Sequence, residues 1–91
     1  MTTSLGRGAA TITPRQLELL QFLARRHQMT VGDVAQALQI SAAAATKAIT
    51  RLERKGLVTR TVDIMDRRYI HVRLTRSGTE VARRSSGAGT A

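Results

Sequence analysis

The chain has no cysteine, no tryptophan, one proline and two aromatic residues in 91 positions, Phe22 and Tyr69. Without cysteine there are no disulfides, no thiolate metal sites and no cysteine nucleophile. With so few aromatics, the core must be built from Leu, Ile, Val and Ala. No run of about 18 apolar residues occurs, so no membrane-spanning helix is expected. The first dozen residues, MTTSLGRGAATI, lack the apolar stretch of a signal peptide, and a cytoplasmic location is the default expectation. Acidic residues are also scarce: six Asp and Glu stand against fifteen Lys and Arg, a formal net charge of +9.

That excess of cations favours a polyanionic partner, because neutralising phosphates releases counterions and drives association. The hydrophobic fraction of 42% suffices for one small core, and the length allows one domain. The expected layout is a disordered tail over 1–12, one patterned domain over 13–84 and a second disordered tail over 85–91.

Within the patterned region, Thr13 is an N-cap, Pro14 suits the first helical position and Gln16 completes a capping box. A first helix is predicted from Pro14 to about His27. Its apolar surface is wide: Leu17 and Leu20 lie on one face, and Leu19, Phe22 and Leu23 extend it around the cylinder. A second helix starts near Thr30, with Asp33 as a favourable first-turn charge. Gln39-Ile40 forms a tight connection. Ser41 caps a third helix, which Gly56 ends as a left-handed cap. Two helices joined by so short a turn have helix-turn-helix spacing.

Beyond Gly56 the period changes. Leu57–Val62 is rich in β-branched residues and reads as a strand. Asp63–Arg68 reads as a polar turn. Tyr69–Leu74 alternates, with Ile70, Val72 and Leu74 on one face, so a β-hairpin is predicted. Thr75 then caps a short final helix to about Arg84. The fold class is α+β: three helices, a hairpin and a short C-terminal helix.

At 100° per residue, Ala45, Ala48, Ile49 and Leu52 of the third helix share one side. Ala43, Lys47, Thr50, Arg51 and Arg54 share the other. A helix so decorated fits the major groove of B-DNA. Lys47 and Arg51 can donate to guanine edges or phosphates, and Thr46 and Thr50 can donate or accept at either. Ala42 and Ala43 are small enough for close approach and offer methyls to thymine. The free N–H groups after Ser41 can hold a phosphate. In the hairpin turn, Asp66-Arg67-Arg68 places arginine where it can enter a minor groove, and an adjacent aspartate can fix the guanidinium.

Other chemistries find no footing. His27 and His71 lie in different elements without clustered carboxylates, so no metal or cofactor is predicted. Ser41 and Ser77 read as helix-end residues, Gly6-Arg7-Gly8 as part of a loose tail, and no acid–base–nucleophile set is visible. An enzyme is not expected.

Leu52-Glu53-Arg54-Lys55-Gly56-Leu57-Val58-Thr59-Arg60, then Asp66-Arg67-Arg68, then Leu74-Thr75 with Gly78, resembles the MarR family of bacterial regulators. The resemblance spans about Thr13 to Arg84. It implies a winged helix-turn-helix whose recognition helix is Ser41–Lys55 and whose wing covers 62–70. It further implies that Arg68 is the minor-groove residue, Asp66 its orienting partner and Arg67 a phosphate contact. Family members are usually longer, with helices that build a dimer and an effector pocket; here no small-molecule effector is predicted. A homodimer enters through Leu19 and Phe22, read either as a self-association or partner surface or as residues covered by the last helix through Val81. The expected function is sequence-selective binding of double-stranded DNA, with repression as the default mode. A protein-interaction module and an accessory architectural factor of a mobile element are the alternatives.

Overall fold

A computed structural model describes residues 12–90, with side chains described for residues 12–84. The elements run α1 (Pro14–Arg26), β1 (Gln28–Thr30), α2 (Val31–Leu38), α3 (Ala42–Arg54), β2 (Val58–Val62), β3 (Ile70–Leu74) and α4 (Arg76–Thr90). Of the expected N-terminal tail, residues 1–11 lie outside the described residues.

Helix starts follow local chemistry. Thr13 accepts the Gln16 N–H at 3.1 Å, and the Gln16 side chain accepts the Thr13 N–H at 3.2 Å, closing the predicted capping box. Thr30 and Asp33 form a second box, at 3.0 and 3.1 Å, so Asp33 does more than meet the helix dipole. Ser41 accepts the Ala44 N–H at 3.0 Å and starts α3. Helix ends rely on positive φ. His27 (69°) turns the chain out of α1, Gln39 (57°) makes the tight bend between α2 and α3, and Gly56 (75°) ends α3.

The sheet has three strands, not two, in the order β1-β3-β2. The hairpin pairs β2 with β3 antiparallel, from Val58 opposite Leu74 to Val62 opposite Ile70. On the other edge of β3, Gln28, Met29 and Thr30 pair with Arg73, Val72 and His71. β1 leaves no sequence signature because three residues are too few for a period, and Thr30 doubles as the α2 cap.

The core holds Leu19, Leu20 and Leu23 of α1, Val34 and Leu38 of α2, and Ala45, Ile49 and Leu52 of α3, closed below by Met29, Leu57, Val58, Val72 and Ala82. Among the described residues its fully buried members include no aromatic side chain, and Met29 joins the expected Leu, Ile, Val and Ala. Each of the three α1 leucines contributes about 1.5–3 kcal/mol by leaving water.

One of the two readings of Leu19 and one helix boundary need correction. Leu19 is fully buried (0% exposed), so it belongs to no self-association surface. α4 packs along α1 and brings Ala82 and Val81 against the same core, in line with the alternative of cover by the last helix. Phe22 is half-buried, packs against the same core and carries the Arg25 guanidinium 4.9 Å from its ring centroid. The last helix is also longer than predicted. It runs to Thr90, through most of the expected 85–91 tail, in a segment with no proline to interrupt it; Ala91 lies outside the described residues.

α3 is fixed at its C-terminal end from two directions. Lys55 Nζ donates to Gln16 Oε1 at 3.0 Å, across 39 positions of sequence. Gln16 is 5% exposed, so this contact ties the start of α1 to the end of α3 from within. Opposite it, Arg60 of β2 pairs with Glu53 at 3.0 Å.

Candidate nucleic-acid interface

The periodicity that buries Ala45, Ile49 and Leu52 turns the rest of α3 outward. Ser41, Ala42, Ala43, Thr46, Lys47, Arg51 and Arg54 are exposed, and Thr50 is half-buried. The predicted face is thus presented together, with Thr50 at its margin. Among the described residues, Lys47, Arg51 and Arg54 have no ion-pair partner. The only carboxylate of α3, on Glu53, is taken by Arg60, so nothing on the helix neutralises those cations.

Beside this face lies a groove of about 240 Å³ between the start of α1 and α3, lined by Thr13, Arg15, Gln16, Ile40, Ala44, Lys47, Ala48 and Arg51. Arg15 therefore joins Lys47 and Arg51 on one basic rim. Sequence reasoning missed it, although a signal existed. A cation in the first turn opposes the helix dipole and so asks for another explanation.

The wing is ordered by two aspartates. Asp63 Oδ1 accepts the N–H groups of Met65 at 2.7 Å and Asp66 at 3.1 Å, and Asp63 Oδ2 meets His71 Nε2 at 2.8 Å. The backbone closes between them, Asp63 N–H to Tyr69 O at 3.0 Å and Tyr69 N–H to Asp66 O at 3.1 Å. Asp66 Oδ1 accepts the Arg68 N–H at 3.1 Å and Nε at 2.9 Å, while Oδ2 accepts Nη2 at 2.8 Å. The guanidinium is thus held by a two-point fork and still leaves 82% of the Arg68 side chain exposed. It also lies 5.9 Å from the Tyr69 ring centroid.

These contacts shift protonation as expected. The His71 hydrogen bond, aided by the Asp66 and Met65 N–H groups, lowers the Asp63 carboxyl below its ordinary value. The Arg68 side chain, then its N–H, does the same to Asp66, and Asp66 in turn raises Arg68. Arg67 is exposed and has no ion-pair partner among the described residues. The structure therefore brings Asp66 and Arg68 together, as predicted, and adds Asp63 and His71 as the base of the turn.

A family model for the MarR family matches residues 10–68. The chain belongs to the MarR family. Among similar proteins is an HTH-type transcriptional repressor of Bacillus subtilis strain 168, MdtR, 36% identical over 67 residues, which cover 74% of this chain and 43% of that protein. This MarR-family chain spans less than half the length of the curated relatives it matches. Among solved structures, a MepR–DNA complex from S. aureus superposes with a TM-score of 0.80 at 28% identity, covering 94% of this chain and 76% of that one. FabT of Streptococcus pneumoniae, in complex with DNA, superposes at 0.85 and 24% identity, covering 88% and 56%, a likeness of fold. The architecture is a winged helix, and among the described residues no helix is long and apolar enough to cross a membrane.

Proposed function

We propose that this chain binds double-stranded DNA sequence-selectively and serves as the DNA-reading part of a transcriptional repressor. Helix α3 enters the major groove through Ser41, Ala42, Ala43, Thr46, Lys47, Thr50, Arg51 and Arg54. The wing enters the adjacent minor groove through Arg68, oriented by Asp66, with Arg67 on a phosphate. The observation that carries this reading is the outward face of α3, where three cations have no ion-pair partner among the described residues, on a helix whose other side is locked into the core. Repression follows the likeness to a protein named as a repressor. Two copies on one duplex would read half-sites about 34–36 Å apart, one helical turn.

Selection of bound sequences from a random duplex library tests the reading, followed by titration of the recovered duplex at several salt concentrations. If three to five of these cations neutralise phosphates, the log–log salt slope is about −2.7 to −4.5. Recovery of no consensus, with no duplex bound at low salt, would overturn it.

A further inference from the structure

Among the described residues, the most exposed large apolar side chains are neighbours at the wing tip. Ile64 is 91% exposed and Met65 92%. The turn does not need them. Asp63 and Asp66 build it through backbone N–H groups and the Arg68 fork, and neither apolar side chain is buried by it. They are also not loosely presented, because the Met65 N–H is held by Asp63 at 2.7 Å. Around them stand Arg67 and Arg68, and the half-exposed Val62 and Tyr69.

An apolar point flanked by cations calls for an occupant with an apolar slot between anionic rims. The DNA minor groove has that form, with sugars and base edges between two rows of phosphates. A protein partner fits less well, since a stable interface takes roughly 20–30 residues a side and this tip offers two large apolar groups.

We propose that Ile64 and Met65 form a wedge that enters the minor groove and partly unstacks one base step, kinking the duplex at a flexible pyrimidine–purine step. This rests on the DNA-binding reading above and extends it. Arg68 supplies attraction to the groove, and the wedge supplies deformation. Selectivity then includes positions that no side chain reads by hydrogen bonding.

The test uses the duplex recovered by selection, with 2-aminopurine walked through the flank under the wing. Its emission rises when its neighbours unstack. The wild-type chain is expected to raise emission at one step and to bend the duplex by about 20° or more. The Ile64→Ser/Met65→Ser double variant is expected to keep both aspartate contacts and a superimposable thermal melt. It is expected to bind about tenfold more weakly, without the emission rise or the bend. Wild type that binds tightly with no emission change at any flank position overturns the wedge and leaves the DNA reading standing. Equal emission and affinity for the double variant do the same. Failure of wild type to bind any duplex sinks the underlying reading, and the wedge with it, before a variant is made.

Discussion

Gly78 of α4 lies against the backbone of Leu57 so closely that a β-carbon would stand 2.0 Å from the Leu57 carbonyl oxygen. The approach is set by Thr75, whose N–H donates to Leu57 O at 3.0 Å and whose hydroxyl donates to Gly56 O at 2.6 Å. The last helix is therefore seated on the turn that ends α3.

Three glycines separate steric from conformational cost. Gly78→Ala must push backbone aside, and about 2–3 kcal/mol of destabilisation is expected. Gly56→Ala meets open space, but φ of 75° costs about 1–2 kcal/mol. Gly32→Ala, whose new methyl comes no nearer than 3.8 Å to Thr30 Oγ1, is expected to be neutral or to stabilise by about 0.4–1 kcal/mol. Thermal melts of the three variants check the order. An unharmed Gly78→Ala protein would contradict the packing of α4.

Thr75→Ala removes both the bond to Gly56 and the acceptor for the Gly78 N–H at 3.0 Å. A loss of about 1–2 kcal/mol is expected, with Thr75→Ser close to wild type. Chemical denaturation measures both.

For DNA binding, Arg68→Ala is expected to weaken affinity about tenfold, mostly on duplexes with A·T-rich flanks. Arg68→Lys should not restore it, because an ammonium cannot occupy the two-point fork of Asp66. Lys47→Ala and Arg51→Ala are expected to cost about 1–3 kcal/mol each where the contact is to a base edge. Arg15→Ala should instead lower the salt slope by about one, as for a phosphate contact. Fluorescence anisotropy on matched and mismatched duplexes separates these. Unchanged binding in all four alanine variants would remove α3 and the wing from consideration.

How legible was this in the sequence? The starts of α1, α2 and α3 were, because Thr13 with Gln16, Thr30 with Asp33 and Ser41 act over three residues. The split of α3 into a buried and a cationic side was legible for the same reason: it is a local period. What escaped depends on distant partners. β1 exists only because β3 lies beside it, and the tie from Lys55 to Gln16 spans 39 positions. Leu19 was ambiguous because amphipathicity shows that a face is apolar, not what covers it. Ile64 and Met65 were masked by reading Asp63–Arg68 as a polar turn, although two of its six residues are large and apolar.

The wing should also have a characteristic acid response. Asp63 and Asp66 both titrate below the ordinary value of 3.8 in the folded chain. A lowered folded value means the carboxylates stabilise the wing above the unfolded value, and the benefit disappears as pH falls through the folded one. The turn is thus expected to be intact at neutral pH and to loosen only below about 3.8. Amide chemical shifts of Met65, Asp66 and Arg68 followed through an acid titration report it. Midpoints at or above 3.8 would contradict the hydrogen bonds to both aspartates.

Because the tail of α3 is tied to Gln16 and Arg60, swivelling the helix on its base would break both contacts. Under the proposed DNA reading, one copy would offer a duplex a single pose. Tolerance for half-sites of unequal spacing would then have to come from how copies are joined, rather than from play within each one.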